Sequence, residues 1–235
     1  MEEVNINEKI GAFLKSATAR CTVKDFSAAI EDLKAAEVLD RENPVVLYNL
    51  GICYTRTGLH RTAFEYFEKL VKLPASFVDI LTVRKLAAYC LIQINEFRGA
   101  LFHLETGLKL NPHDVIALNM KGYCQEKLGL LPDAKQTYGV ILSIEPSNPT
   151  ACNSLAYVIA KTGGDLNQAL LLSKRAVEAR RENPAYLDTL GYIQLLKGNR
   201  ESAKNFLKKA YTRFPDSEEI KAHLRELLHL DHENK

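Results

Sequence analysis

A period of about 34 residues runs through most of this 235-residue chain and limits what it can fold into. A small residue recurs in apolar, helix-like segments at intervals of 34 to 37 residues: Gly51, Ala88, Gly122, Ala156 and Gly191. An alanine follows each of them after twelve or thirteen residues: Ala63, Ala100, Ala134, Ala169 and Ala203. Self-similarity at this period is typical of solenoids, in which each unit buries its apolar face only against its neighbours.

Each unit is predicted to contain two antiparallel helices. A residue that tolerates a left-handed backbone stands in the middle of five units, where the first helix must end: Gly58, Asn95, Gly129, Gly163 and Gly198. Pro112, Pro146 and Pro215 stand where the second helix must stop, since proline cannot continue a helix. The small residues are expected to face one another, because two closely approaching helix axes leave no room for longer side chains.

Six units are predicted, followed by one amphipathic helix that caps the array. We place the units at residues 10–43, 44–80, 81–114, 115–148, 149–183 and 184–217, and the capping helix at 218–230. The fold class expected from this pattern is all-α, an array of six helix hairpins forming a single domain over residues 1–235.

Several units resemble the tetratricopeptide repeat as it occurs in bacterial-type proteins. The segment LYNLGICY at 47–54, with Ala63 and Phe67, has this pattern, and so does PAYLDTLGY at 184–192, with Ala203, Ala210 and Pro215. The resemblance implies a right-handed α–α superhelix (a solenoid), a bacterial source, and a non-enzymatic module that binds protein or peptide partners. It also implies that one stripe of the first helices lines a concave groove that contacts ligands.

Tyrosine occupies one position of that stripe in four consecutive units, as Tyr89, Tyr123, Tyr157 and Tyr192, which we call the tyrosine stripe. Polar residues near it complete the predicted partner-binding groove: Lys85, Asn119, Asn153, Asp188, Asn49, Arg56, Lys127 and Lys161. Tyrosine offers a broad apolar face with a hydroxyl group, and asparagine carries both a donor and an acceptor for a peptide backbone. The pattern therefore favours an extended partner segment held in the groove.

Other interpretations of the same residues remain open. The tyrosines could instead fill the seam between adjacent first helices, as aromatic residues at helical spacing often do. Ile10, Phe13 and Leu14 could dock onto a second copy, which would make the chain a self-assembling scaffold or homo-oligomer. It could also be a fragment of a larger envelope-associated protein.

Binding of heat-shock chaperone C-terminal tails is not expected. The family members that clamp such tails carry a set of lysine, asparagine and arginine residues on three successive units. Only Lys85 matches that set, because the four other positions hold Tyr89, Met120, Thr150 and Ser154.

Composition argues against several further classes of function. With 31 basic and 29 acidic residues the net charge is +2, so no nucleic-acid or membrane-surface partner is indicated. No apolar run is long enough to insert into a membrane, and Met1–Lys9 does not look like a leader. No nucleophile, metal or phosphate motif is present, so we expect no catalytic residues, no metal and no cofactor.

The five cysteines, an odd number at wide spacing, favour reduced thiols buried as small apolar residues. We therefore expect a cytoplasmic location. A periplasmic one is the alternative, if a leader was removed.

Overall fold

The computed structural model describes residues 2–74 and 79–233, and in these residues every regular element is an α-helix. The helices are α1 Glu2–Thr22, α2 Phe26–Leu39, α3 Pro44–Arg56, α4 His60–Lys72, α5 Ile80–Gln93, α6 Phe97–Leu108, α7 Val115–Lys127, α8 Leu131–Ile144, α9 Pro149–Lys161, α10 Leu166–Ala179, α11 Pro184–Leu196, α12 Arg200–Arg213 and α13 Glu218–Glu233. The predicted fold class is confirmed: six helix pairs are followed by a final helix. The first helix begins at Glu2, eight residues before the start predicted for the first unit.

The turn inside each helix pair closes in the same way. At five turns the residue with a positive φ is the predicted one, for example Gly58 at 78° and Asn95 at 60°. The following backbone N–H donates to a carbonyl five residues earlier, as from Leu59 to Tyr54 at 2.9 Å. These bonds satisfy carbonyl groups that the end of the first helix leaves open. The first pair uses Lys24 with φ 62°, which no sequence signal indicated.

The small residues lie where the two helices of a pair approach most closely. A Cβ atom added at Gly51 of α3 would stand 2.6 Å from the ring of Phe67 in α4. At Gly191 of α11 it would stand 2.8 Å from Leu207 in α12. Both distances are shorter than any van der Waals contact, so only glycine fits there without movement of the partner.

An Asn-Pro pair starts the first helix of three units. Asn43, Asn148 and Asn183 each accept a backbone N–H of the following helix with the side chain, and proline occupies the first helical turn. Asparagine is a strong N-cap and proline has no N–H to leave unsatisfied, so this pair defines where α3, α9 and α11 begin.

The chain divides into two compact units, Met1–Cys124 and Gln125–Lys235, with the division inside α7. In unit 1, large apolar side chains such as Leu33, Leu50 and Phe67 form one buried cluster, and Leu91 and Leu104 belong to another. In unit 2, the buried clusters link the last helix pair to α13; their members include Leu187, Leu207, Ile220 and Leu227.

The apolar residues of α1 belong to the core of unit 1. Ile10 is 4% exposed, and Phe13 and Leu14 pack against the same cluster. These are the three residues that could form a docking face for a second copy. Much of their apolar surface is already used within the chain.

Candidate functional site

Tyr89 and Tyr123 lie at equivalent points of α5 and α7 in unit 1, and both keep a large exposed fraction, 41% and 42%. Each ring packs edge-on against the first residue of the second helix in the preceding pair. Tyr89 meets His60 at 6.0 Å between ring centroids, and Tyr123 meets Phe97 at 6.1 Å. One edge of each ring therefore fills a seam between helices, and the rest faces solvent. The seam-filling interpretation therefore applies to part of each ring, and contact of the exposed part with a partner stays a prediction.

Lys85 lies one turn before Tyr89 on α5 and is committed to an ion pair. Its Nζ donates to Asp114 Oδ2 at 2.7 Å, and both side chains are largely buried. Partial burial acts to raise the pKa of Asp114, but the hydrogen bond and charge of Lys85 and the backbone N–H groups of Ile116 and Ala117 together outweigh it, so the pKa lies below its usual value. Asp114 also accepts the N–H of Ala117, so Lys85 helps to hold the start of α7.

The predicted asparagines of unit 1 use their amide groups within their own helices. Asn49 Nδ2 donates to the carbonyl of Val45 at 2.8 Å, and Asn119 Nδ2 donates to Val115 at 2.9 Å. The Asn119 Oδ1 atom is buried and has no hydrogen-bond partner in the described part of the chain. Its position one turn before Tyr123 leaves an unsatisfied acceptor beside an exposed ring. Arg56 is exposed at the end of α3.

In unit 2, Tyr157 of α9 and Tyr192 of α11 lie next to each other, with ring centroids 6.2 Å apart. His223 of α13 stacks on Tyr192 at 4.2 Å with an interplanar angle of 17°, and it lies 6.4 Å from Tyr157. The last helix thus covers part of this half of the tyrosine stripe. Lys161 donates to the Tyr157 hydroxyl at 3.0 Å, and its Nζ lies 5.3 Å from the centre of the same ring.

Asp188, predicted as a groove residue, lies in a buried pair with His223. Asp188 is 5% exposed, and His223 Nδ1 is 3.0 Å from each of its carboxylate oxygens. Burial raises the pKa of Asp188, and the contact with His223 opposes this rise. The carboxylate therefore serves to attach α13 to α11. No signal in the sequence paired these two residues, which are 35 positions apart.

Two carboxyl groups act on Tyr157, those of Glu126 in α7 and Glu219 in α13. Burial raises the pKa of Glu126 to about 7, although Tyr138 donates a hydrogen bond to it, and Glu219 raises it further through charge repulsion. Burial also raises the pKa of Tyr157, and its hydrogen bond with Glu219 acts in the same direction. Unit 2 therefore carries a partly buried acidic cluster of α7, α9 and α13 residues.

The remaining predicted residues lie on the same helices. Asn153 of α9 is half-buried, and its Oδ1 has no hydrogen-bond partner in the described residues. Lys127 is exposed at the end of α7. The structure thus brings together Lys85 with Tyr89 and Asn119 with Tyr123 in unit 1. In unit 2 it brings together Lys161, Tyr157, Tyr192 and Asp188. The prediction that these residues contact a partner stays a prediction.

Residues 2–74 and 79–233 contain no group of three or more His, Cys, Asp or Glu side chains that is placed to hold a metal ion. No helix within those ranges combines the length and the apolar character needed to cross a bilayer.

Three segments of the chain match family models described as tetratricopeptide repeat: residues 45–76, 87–149 and 185–217. Together they span more than half of the chain. A TPR repeat-containing protein of the bacterium Pseudomonas aeruginosa is 31% identical over 123 residues, which is 52% of this chain and 21% of that protein. The matched region thus spans about a fifth of the relative's length.

Solved structures share the same architecture. A tetratricopeptide repeat protein from Parabacteroides merdae superposes with a TM-score of 0.80 at 18% identity, over 96% of this chain and 88% of the other. YrrB, a TPR protein with an unusual peptide-binding site, has a TM-score of 0.66 at 18% identity, over 79% of this chain and 94% of YrrB. At such identities the likeness concerns the fold alone.

Proposed function

Because the chain belongs to the tetratricopeptide repeat family, we propose that it is a non-enzymatic adaptor that holds an extended segment of a partner protein. The family's scaffold is suited to protein–protein interaction, and its members are generally interaction modules without catalytic activity. We place the contact on the tyrosine stripe, with Tyr89 and Tyr123 of unit 1 as its centre.

One observation carries this proposal: two tyrosines at equivalent positions of successive pairs keep about two fifths of their surface exposed while one edge of each ring is fixed. A ring held in place loses little conformational entropy on binding, and tyrosine is enriched among the residues that dominate interface energy. Large aromatic residues left partly exposed on a rigid element are what an extended ligand needs as anchors.

Spacing supports an extended ligand. Packed helices lie about 8–10 Å apart, and the first helices of neighbouring pairs are separated by somewhat more, whereas a fully extended chain advances about 3.3 Å per residue. Successive tyrosines would therefore meet every third or fourth residue of a bound segment. The unusual peptide-binding site of YrrB adds support by likeness of fold.

In unit 2 the same stripe is less open. His223 stacks on the ring of Tyr192, and Glu219 forms a hydrogen bond with Tyr157. We therefore propose that unit 1 contributes most of the binding energy and that Tyr157 and Tyr192 contribute less.

A peptide library displayed on phage, selected against the full chain, would test the proposal without knowledge of the natural partner. Affinities of the selected peptides are then measured by fluorescence polarisation for the wild type and for the double variant Tyr89→Ala/Tyr123→Ala. Loss of two aromatic anchors at about 1–2 kcal/mol each predicts a Kd roughly 30-fold to 1,000-fold weaker. Helix content measured by circular dichroism should stay unchanged.

A matched control is available in Tyr211→Ala, which removes a tyrosine of similar exposure, 41%, from α12 and outside the stripe. This variant should bind the selected peptides as the wild type does. A peptide with a heat-shock chaperone C-terminal tail should not bind. Peptides that bind equally well to the wild type and the double variant would refute the assignment to Tyr89 and Tyr123.

We also propose a cytoplasmic location, supported by four buried cysteines and one half-buried cysteine that all remain free thiols. Thiol labelling of the protein in intact and fractionated cells tests this. A periplasmic pool with oxidised cysteines would overturn it.

A further inference from the structure

Two cysteines of unit 1 lie in direct contact. The Cys21 Sγ atom, in the last turn of α1, is 3.6 Å from the Cys53 Sγ atom, in the last turn of α3. They are 32 positions apart in the sequence, so the contact depends on how α1 and α3 pack around α2. No spacing motif indicated it.

The other three cysteines have different surroundings. Cys90 lies 3.5 Å from the Thr55 hydroxyl, and Cys124 and Cys152 are buried in the helix array. Within the described residues, no second pair of sulfur atoms lies in contact. The Cys21–Cys53 pair therefore differs from ordinary packing of small apolar side chains.

We propose that Cys21 and Cys53 form a modification site at which a hydroperoxide converts the two thiols into an intrachain disulfide. A disulfide requires a sulfur–sulfur distance of about 2.05 Å, so the two atoms must approach by about 1.5 Å. Rotation of the side chains and a small shift of the end of α1 supply this movement. α1 ends at Thr22 and α3 ends at Arg56, so each cysteine lies in the last turn of a helix that leads directly into a turn.

The exposure of the two cysteines determines which of them the oxidant reaches first. Cys21 is half-buried and can meet a small oxidant, whereas Cys53 is 1% exposed. In the first step the Cys21 sulfur attacks the terminal oxygen of the hydroperoxide and the O–O bond breaks. The thiol proton passes to the released oxygen, so the products are a Cys21 sulfenic acid and an alcohol, or water when the oxidant is hydrogen peroxide. In the second step the Cys53 sulfur attacks the Cys21 sulfur, the S–O bond breaks, and the thiol proton leaves with the hydroxyl group as water. The two thiols are oxidised, and one hydroperoxide is reduced.

The surroundings of Cys53 set the speed of the second step. Burial raises the pKa of the Cys53 thiol, and contact with Cys21 raises it further, so little thiolate is present near neutral pH. Thiolate is the attacking form, so the disulfide should form slowly at neutral pH and faster as pH rises. The disulfide should therefore accumulate under sustained oxidation and not during a brief exposure to the oxidant.

The disulfide would attach α1 covalently to α3. A cross-link stabilises mainly by restricting the unfolded chain, and a loop of about 30 residues is long enough for a sizeable effect. Oxidation should therefore raise the melting temperature of the helices at this end of the chain.

Peptide mapping gives a direct test on the full chain. The protein is treated with excess hydrogen peroxide, remaining thiols are alkylated, and trypsin is added without reductant. Cleavage after Arg20, Lys24, Arg41 and Arg56 places Cys21 in peptide 21–24 and Cys53 in peptide 42–56. Mass spectrometry should find these two peptides linked, with two of the five thiols lost and no cross-link between separate chains.

Two variants provide the controls. Cys21→Ser should abolish the link and leave Cys53 alkylated, and it should also remove the rise in melting temperature on oxidation. Cys124→Ser should form the link as the wild type does. Five alkylated cysteines after prolonged treatment, sulfinic acid at Cys21 without a link, or a link from Cys53 to another cysteine would each overturn the proposal. None of these readouts depends on partner binding, so the adaptor function is tested separately.

Discussion

Replacing His223 by alanine should destabilise unit 2 in a way that depends on pH. His223 is 3.0 Å from both oxygens of Asp188, which is 5% exposed, and it stacks on Tyr192 at 4.2 Å. Alanine removes both contacts and leaves a buried carboxylate without its partner. Loss of an aromatic stack costs about 0.5–1.5 kcal/mol, and an uncompensated buried acceptor costs about 1–3 kcal/mol. We expect a loss of about 3 kcal/mol in the free energy of unfolding near pH 7.

The pH dependence follows from the direction of the Asp188 pKa. Burial raises this pKa above its ordinary value, so the folded state keeps a proton that the unfolded state has released. Stability from this carboxyl group is full below the unfolded pKa of 3.8 and declines as pH rises through the folded pKa. Without His223 the folded pKa should rise further. The loss caused by the variant should then be about 1 kcal/mol at acid pH, where the carboxyl group is neutral and mainly the stack is lost, and larger near pH 7.

Urea unfolding followed by circular dichroism at several pH values measures this loss. His229→Ala is the matched control, since it makes the same change at an exposed position of the same helix. It should cost a few tenths of a kcal/mol at every pH. Equal losses for the two variants, or a loss for His223→Ala that does not change with pH, would refute the reasoning.

Two further predictions concern packing and protonation. Gly51→Ala places a Cβ 2.6 Å from the Phe67 ring and should lower the free energy of unfolding by about 1–3 kcal/mol. Gly139→Ala adds a Cβ with nothing within 4 Å and should raise the free energy of unfolding by about 0.5–1 kcal/mol. A Gly139→Ala variant less stable than the wild type would contradict this. Glu126, with a pKa raised to about 7, should make wild-type stability fall as pH rises from about 4.5 to about 7. Glu126→Gln should remove this dependence of the unfolding free energy on pH over that window, while the glutamine side chain can still accept the hydrogen bond from Tyr138. An unchanged slope of unfolding free energy against pH would show that Glu126 titrates normally.

The pattern of small residues and turns was sufficient to predict the fold because those residues act locally or within one helix pair. A left-handed turn needs glycine or asparagine wherever it occurs, and a close helix crossing needs glycine or alanine, so Gly58 and Gly51 could be interpreted without coordinates. The Asn-Pro pairs found in the structure are equally local, because capping involves only the next few residues. The positive φ of Lys24 was not predicted, because a lysine side chain does not indicate a left-handed backbone.

By itself the sequence determined the helix-hairpin array and the helix positions at which the stripe residues stand, because periodicity places side chains on a helix face. Only the tertiary structure decided what each of those side chains meets. Asp188 pairs with a histidine 35 residues away, Tyr192 is covered by α13, and Cys21 touches Cys53. These outcomes depend on packing between separate helices, where contact distances vary with crossing angle and side-chain volume, and no repeat period encodes them.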